Sequence, residues 1–158
     1  MNPLAEKMYA KREADANTRV RVGVGLIIRD HRGWILLEKR KDCGLWGLPG
    51  GKIEPGESAI KAARREAKEE TNLSIQVERL LGVYSEPEDR IVMYLDNGDV
   101  VHLVDILLEA SIVSGELSYS AESEDLQFFD PMALPSDIVP PALAPLRDYM
   151  TGFGGMIR

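Results

Sequence analysis

The chain has little cysteine and histidine and no long apolar run. Cys43 is the only cysteine among 158 residues, which excludes an intrachain disulfide and a zinc site of several thiolates. We therefore expect a reducing compartment and a cytoplasmic location. The two histidines, His31 and His102, lie far apart in sequence, which favours surface or structural roles. No segment has the length of a membrane span and the N-terminus is highly charged, so we expect no membrane partner.

Positive charge is also scarce. The chain has 26 acidic and 19 basic residues, a net charge of -7 and a pI near 4.9. A broad grip on nucleic-acid backbone needs a basic surface, so we expect no extended nucleic-acid partner. A protein of this charge that binds a small anion would need a metal ion of its own. The 44% apolar and 28% charged residues predict one globular domain with a sizeable core.

Alternating and β-branched runs predict a sheet with few helices. Asp30-His31-Arg32-Gly33 and Asp96-Asn97-Gly98-Asp99 supply the turn chemistry of two β-hairpins. The expected strands cover residues 20–29, 34–39, 74–84, 91–95, 100–109 and 126–129, and the expected helices begin near Ser58 and Pro141. Strands mixed with one long helix and a short closing helix predict an α+β or mixed α/β sandwich.

The long helix has recognisable start and stop signals. Ser58 is the expected N-cap, and Asn72 can adopt the left-handed conformation that ends a helix. Ile60, Ala63 and Ala67 form its expected apolar stripe. This helix should therefore pack through one narrow face.

The two ends of the chain differ from its middle. Residues 1–18 are polar, with Leu4 and Met8 at helical spacing, and predict a leader helix or mobile arm outside the core. Residues 19–150 contain every expected strand and form a single expected domain. The glycine-rich residues 151–158 predict a flexible tail.

Three glutamates lie close together on the long helix. At 100° per residue, Glu66, Glu69 and Glu70 fall within an arc of about 100°, so their side chains can converge beside the helix. Carboxylates crowded in this way repel each other unless a cation lies among them. Hard oxygen ligands suit Mg²⁺, with Mn²⁺ as a possible substitute. An open acidic face of this kind is what a diphosphate substrate would require.

The turn before the helix carries glycines and one acidic residue. Glu57 can fold back onto Arg65, and we interpret that pair as a scaffold for the loop. Gly50 and Gly51 let the main chain approach a ligand closely, while Gly56 relaxes the turn. The glycines and the glutamates therefore predict one site.

The spacing of these residues resembles a family signature. Gly51, five residues, Glu57, seven residues and the run Arg65–Leu73 resemble the signature of the Nudix hydrolases. The resemblance covers most of residues 19–150, because the segments LWGLPGG and LQFFDPMALP also look like that family. The family usually has glycine where this chain has Asn72, and asparagine is the next best residue for a left-handed helix end.

This resemblance implies a fold and a reaction. The fold would be a Nudix-type α/β/α sandwich with a mixed β-sheet, and residues 19–150 would be a Nudix-like hydrolase domain. The substrate would be a nucleoside diphosphate derivative, such as a nucleotide sugar, ADP-ribose or a modified nucleoside triphosphate. A metal-dependent pyrophosphohydrolase would cleave its diphosphate bond by attack of water on phosphorus.

The resemblance also implies roles for single residues. Glu66, Glu69 and Glu70 would ligate Mg²⁺, with the main-chain carbonyl of Gly50 as a further ligand. One of the three carboxylates would orient or deprotonate the attacking water. Some relatives use a glutamate from a later loop instead, which makes Glu122 and Glu124 candidates here.

Substrate-binding candidates outside the helix have ordinary alternatives. Arg40 could contact substrate phosphate or be a surface arginine, and Trp46 could stack on a base or pack in the core. Gly50 and Gly51 would contact substrate through their main chain. Hydrophobic hairpins and the N-terminal arm could also support a homodimer.

Two other functions use the same scaffold. A non-catalytic nucleotide-sensing or scaffold module is the first, although such chains often lose a glutamate that this chain retains. A diphosphate isomerase is the second, but that chemistry usually needs a cysteine or further histidines in the pocket. A phosphate-release screen with magnesium would separate hydrolysis from sensing.

Overall fold

The structure, a computed structural model that describes residues 1–158, contains four helices and nine strands. The helices are α1 Pro3–Tyr9, α2 Ala59–Thr71, α3 Pro87–Arg90 and α4 Pro140–Met150. The strands are β1 Arg19–Arg29, β2 Ile35–Arg40, β3 Trp46–Gly47, β4 Gly50–Lys52, β5 Ser74–Tyr84, β6 Ile91–Met93, β7 Val100–Ser114, β8 Ser123–Phe129 and β9 Met156–Ile157. Each strand and helix predicted from the sequence is present. No helix has the length and hydropathy of a membrane span.

All nine strands belong to one mixed sheet. Its main order is β3-β2-β1-β7-β5-β9, with β4 on β1, β6 on β7 and β8 on β2. The long pair β1–β7 is parallel, whereas β5–β7 and the two predicted hairpins are antiparallel. The mixed sheet confirms the predicted mixed α/β fold class.

Side chains that alternate along the strands divide the core between the two faces of the sheet. In β1, Leu26 and Ile28 point to the face that α2 covers through Ala63 and Ala67. Ile27 points to the opposite face, which α1 and α4 cover. The helices therefore lie on both sides of the sheet, as the α/β/α sandwich predicts.

Helix α2 has the predicted caps but a different apolar stripe. Ser58 accepts a hydrogen bond from the Lys61 N–H at 3.2 Å, and Asn72 has a φ of 63°. Ile60, expected in the stripe, is 46% exposed, whereas the neighbouring Ala62 is fully buried. The stripe consists of alanines, so the helix can lie close to the sheet.

Both chain ends differ from their predictions. The leader does contain a helix, but Ala5 and Met8 of α1 are buried in the main core cluster while Leu4 is exposed. The expected flexible tail instead ends in β9, which pairs with β5. Arg158 also binds buried Asp148 at 2.8 Å. Both differences arise from long-range contacts that local polarity does not reveal.

Candidate active site

The glycine turn places the main chain directly against α2. Gly50 and Gly51 pair with Gly25 and Val24 of β1. A Cβ at position 51 would lie 2.4 Å from the Glu66 Oε1, and one at position 50 would lie 2.1 Å from the Val24 carbonyl oxygen. Position 50 therefore requires glycine, whereas a side chain at position 51 would displace the Glu66 carboxylate from the turn.

The predicted contact between Glu57 and Arg65 is present. Arg65 Nε donates to Glu57 Oε1 at 2.5 Å and Arg65 Nη2 donates to Glu57 Oε2 at 3.0 Å. The same guanidinium donates to the Lys52 carbonyl at 3.0 Å. Arg65, followed by the Glu54 N–H, lowers the pKa of Glu57 to about 2. This bidentate pair links the turn to the helix.

Glu70 is in a different environment, one turn further along α2. Its Oε2 accepts a hydrogen bond from the Gly50 N–H at 2.9 Å. Removal from water raises the pKa of Glu70 to about 9, and the charges on Glu38 and Glu66 act in the same direction. Glu70 is therefore a carboxyl group whose ionisation an added cation would favour.

The third glutamate of the predicted cluster points elsewhere. The Glu69 side chain is 59% exposed and accepts from Arg65 Nη1 at 3.2 Å, whereas Glu66 is 13% exposed and accepts from the same nitrogen at 2.8 Å. No three acidic, histidine or cysteine side chains are arranged as one metal-ligating group. The expected convergence of all three glutamates is therefore not present in this conformation, because Arg65 attracts Glu69 away from Glu70.

Glu38 is an acidic neighbour that the sequence analysis missed. It lies in β2, is only 6% exposed, and its Oε1 accepts from Ser123 Oγ at 2.5 Å. Burial raises the pKa of Glu38, and its charge contributes to the raised pKa of Glu70. The available signal was an acidic residue inside the otherwise apolar run ILLEK.

The two later glutamates are exposed, although the charge of Glu122 contributes to the raised pKa of Glu38. Glu124 is exposed and pairs with Lys39 at 3.9 Å, and Glu122 is exposed as well. Ser123, between them, points inward to Glu38. Side chains alternate along a strand, so a sequence that directs Ser123 inward directs Glu124 outward. Glu124 does not line the cavity in this conformation, and its contact with substrate stays a prediction.

A cavity of about 120 Å³ opens beside the glycine turn. Arg40, Gly50 and Gly51 line it, so the structure brings these three predicted residues together. Arg40 is also held by Asp42 through contacts of 2.6 and 3.0 Å. Other lining residues come from several elements, namely Met8, Tyr9, Arg21, Tyr94, Leu103 and Asp105.

Trp46 belongs to the core. It is 7% exposed, packs edge-to-face on Phe129 with ring centroids 4.9 Å apart, and does not line the cavity. Trp46 therefore packs in the core here, as the second alternative expected, and base stacking by Trp46 stays a prediction. Its neighbour Gly47 does line the cavity.

A charged pair, Arg90 and Asp105, was also missed, and its Asp105 lines the cavity. Arg90 is 3% exposed, forms an ion pair with Asp105 and donates to the Pro141 carbonyl at 2.7 Å. Burial raises the pKa of Asp105, although Arg90 and Arg21 oppose this shift. Asp105 interrupts the apolar run VVHLVDILL, and Arg90 joins it only through the fold. The cavity thus combines apolar surface with a few fixed polar groups.

Comparison with known proteins identifies the family. The NUDIX domain model matches residues 19–150, which is most of the chain. The chain belongs to the Nudix family. A Bacillus subtilis protein named provisionally as an 8-oxo-dGTP diphosphatase is 34% identical over 131 residues, covering 82% of this chain and 80% of that protein. An ADP-ribose pyrophosphatase from Methanocaldococcus jannaschii is 39% identical over 114 residues, covering 70% and 62%.

Solved structures agree with this assignment. A MutT NUDIX hydrolase from Burkholderia pseudomallei superposes with a TM-score of 0.68 at 32% identity, covering 82% of this chain and 98% of that one. A NUDIX hydrolase from Nitrosomonas europaea superposes with a TM-score of 0.66 at 24% identity and shows a shared fold, covering 89% and 77%. The chain is accordingly a Nudix pyrophosphohydrolase of nucleotide derivatives, as the sequence predicted.

Nudix hydrolases generally need divalent metal ions. The side chains at the glycine turn fit such an ion, because Glu66 and Glu70 supply hard oxygen donors beside the main chain of Gly50 and Gly51. The raised pKa of Glu70 indicates that no nearby protein cation fully compensates its charge. The residues present are therefore compatible with a hard divalent cation.

Proposed function

We propose that this Nudix protein is a metal-dependent hydrolase that cleaves a phosphoanhydride bond in a nucleoside diphosphate derivative. One observation carries the proposal: Glu66 and Glu70 lie against the Gly50–Gly51 turn, which lines the cavity. Acidic oxygen donors beside open space large enough for part of a nucleotide are what a metal-bridged diphosphate needs.

Glu66, Glu69 and Glu70 would hold Mg²⁺, together with the carbonyl of Gly50, and Mn²⁺ could replace it. The ion would neutralise developing charge on phosphate and lower the pKa of bound water. Glu69 is the residue that has to leave Arg65 to take part, and its exposed side chain is free of packing that would prevent rotation.

Other residues of the chain would position the reactants. Glu57 and Arg65 hold the turn against α2, so they act as scaffold rather than as reacting groups. Arg40 lines the cavity beside Gly50 and Gly51, where a guanidinium would bind substrate phosphate. Asp42 already holds the Arg40 side chain in place. Substrate binding would therefore cost less side-chain conformational entropy at Arg40.

The general base is a choice among carboxylates close to the turn. Glu70 is the first candidate for the proton acceptor, because its Oε2 lies 2.9 Å from the Gly50 N–H in the turn that lines the cavity. Glu38 is a second carboxylate in the same group. Glu122 and Glu124 would need a rearrangement of the β8 segment to reach the cavity.

Two substrate groups have specific support. The relatives described above are named for 8-oxo-dGTP and for ADP-ribose, so an oxidised nucleoside triphosphate and ADP-ribose are the first compounds to test. Nucleotide sugars form the next group. The relatives' names describe hydrolases, and nothing supports the non-catalytic alternative. The homodimer and the cytoplasmic location stay predictions from the sequence.

The decisive experiment is a panel of nucleoside diphosphate derivatives with the purified protein and Mg²⁺. We expect release of a nucleoside monophosphate from at least one compound, and loss of that activity with EDTA. Analysis of the products in ¹⁸O-labelled water would identify the phosphorus atom that water attacks. A panel on which no compound is cleaved with Mg²⁺ or Mn²⁺ would contradict the proposed function.

A further inference from the structure

The short helix α1 lies outside the region that defines the family but contributes to the cavity. The family match begins at residue 19, whereas α1 covers Pro3–Tyr9. Met8 and Tyr9, at its C-terminal end, both line the cavity. The segment that the sequence analysis separated from the domain is therefore part of the wall of the candidate site.

Both ends of α1 are fixed by side-chain hydrogen bonds. Asn2 caps the helix by accepting from the Ala5 N–H at 2.9 Å, and its Nδ2 donates to the Cys43 carbonyl at 2.7 Å. Arg12 donates to the carbonyl oxygens of Lys7 and Met8 at 2.8 and 2.9 Å. The Asn2 bond attaches the helix to the loop that follows Arg40, and the Arg12 bonds satisfy carbonyl oxygens at its C-terminal end.

Packing selects one face of α1. Ala5 is fully buried and Met8 is 3% exposed, whereas Leu4 is 54% exposed. Tyr9 packs on the small apolar cluster of Val92, Val101 and Leu103, as Tyr94 does. The buried face of the helix therefore ends at the aromatic ring of Tyr9 on the cavity wall. Leu4 lies on the opposite, exposed face.

The chemistry of this wall differs from that of the glycine turn. Met8 and Tyr9 present a thioether and an aromatic ring, and Tyr94 adds a second ring that lies 5.8 Å from the Arg21 guanidinium. Neither ring carries a charge that would attract phosphate, whereas an aromatic ring on a cavity wall is a group on which a heterocycle can stack. Arg40 and the glycine turn, which line the same cavity, would bind the phosphate groups.

We infer that α1 is a substrate-binding element whose Tyr9, together with Tyr94, binds the nucleobase of the nucleotide. The inference rests on the proposed function for the identity of the ligand. It assigns affinity for the nucleoside part of the substrate to a segment outside the family region, and it leaves the hydrolytic groups on α2 unchanged.

The test is calorimetric titration of the full chain with ADP, GDP and inorganic pyrophosphate in magnesium buffer. Tyr9→Ala should lower the affinity for whichever of ADP and GDP binds more tightly by about tenfold. The affinity for pyrophosphate should stay unchanged, because stacking acts on the base alone. Tyr9→Phe, which keeps the ring, should bind like wild type. Leu4→Ala on the exposed face of the same helix is the matched control and should change neither affinity.

A second variant separates stacking from loss of packing. Tyr9→Leu keeps apolar volume without an aromatic ring and should show the same loss as Tyr9→Ala, with a melting temperature closer to that of wild type. Unchanged nucleotide affinity in Tyr9→Ala, or an equal loss for pyrophosphate, would overturn the inference. So would a wild-type protein that binds neither nucleotide.

The outcome is independent of hydrolysis. A wild-type protein that binds ADP or GDP but cleaves no substrate would contradict the proposed function, while the ratio of nucleotide to pyrophosphate affinity in Tyr9→Ala would still decide the role of α1. For a cleaved substrate, the same variant should raise KM about tenfold and leave kcat nearly unchanged.

Discussion

Glu57 and Glu70 belong to the same loop and helix, yet their pKa values move in opposite directions. Glu57 faces Arg65 and has a pKa near 2, whereas Glu70 lies among Glu38 and Glu66 and has a pKa near 9. An opposite charge within contact distance favours the ionised carboxylate, and removal from water beside like charges disfavours it. One end of the motif is therefore internally neutralised, and the other end holds a carboxyl group whose ionisation a bound cation would favour.

This difference separates scaffold from chemistry within one motif. The Glu57–Arg65 pair is complete without a ligand, so its removal should loosen the turn. The Glu38, Glu66 and Glu70 group is incomplete without a cation, so its removal should abolish turnover and relieve repulsion.

Glu70→Gln should have the largest effect. Loss of the proposed ligand should reduce magnesium-dependent kcat by at least about 100-fold, while the melting temperature of the metal-free protein should stay the same or rise, because an amide at this buried position cannot ionise. Steady-state kinetics and thermal unfolding in EDTA measure both. Glu54→Gln, an exposed glutamate of the same loop, is the control and should have neither effect. Full turnover by Glu70→Gln would refute the assigned metal role.

Gly51→Ala should follow. The added Cβ would overlap Glu66 Oε1, so the carboxylate has to move and activity should fall about 10- to 100-fold. Gly56→Ala is the matched control, because it has a left-handed φ of 83° but no atom within 4 Å of the new Cβ. We expect Gly56→Ala to lose stability and to retain more activity than Gly51→Ala. Higher activity in Gly51→Ala than in Gly56→Ala would show that the position of the Glu66 carboxylate does not matter for catalysis.

Arg65→Lys should have a smaller effect on rate and a clear one on the turn. Lysine cannot reproduce the bidentate contact with Glu57 and the further bond to the Lys52 carbonyl, so we expect about a tenfold loss of kcat and a lower melting temperature. Arg64→Lys, one residue earlier and exposed, is the control. If Arg65→Lys and Arg64→Lys had the same kcat and melting temperature, Arg65 would not be a scaffold for the turn.

Metal-free stability should depend on pH in a defined direction. The folded-state pKa of Glu70 lies above the ordinary value of about 4.3, so its stabilising effect is complete below that value and is lost as pH rises toward about 9. Glu57 acts in the opposite sense, and its contribution is lost as pH falls from about 4.3 toward about 2.

Chemical denaturation in EDTA between pH 5 and 9 measures the effect of Glu70. Mg²⁺ should stabilise the protein more at pH 8 than at pH 6, because the ligands have to be deprotonated. Glu70→Gln should reduce both the pH dependence and the magnesium effect. A magnesium effect that is independent of pH in the wild type would argue against Glu70 as a ligand.

Glu124→Gln should have the smallest effect. The side chain is exposed, contacts only Lys39 and lies outside the cavity, so kcat and KM should change by no more than about twofold. Lys39→Gln is the paired control for the ion pair. A large loss of kcat in Glu124→Gln alone would show that the β8 segment moves to the site during turnover.

The loop and the helix α2 could be predicted from the sequence almost completely. Ser58, Asn72 and the Glu57–Arg65 pair depend on contacts within 20 residues, and all three are present as predicted. Glu38, Asp105 and Arg90 were missed because their significance depends on strands that become neighbours only in the sheet. Trp46 was ambiguous, since a tryptophan in a loop shows no burial pattern and only the fold placed it on Phe129.

The amino-acid sequence by itself determined the family, the mixed α/β class and the turn that leads into α2, because short-range spacing and turn chemistry encode each of them. Tertiary structure alone decided that Glu69 contacts Arg65, that Glu124 points away from the cavity and that α1 forms part of its wall. Those three outcomes depend on the strand face, the competing charges and the distant packing partners that each side chain meets once the chain has folded.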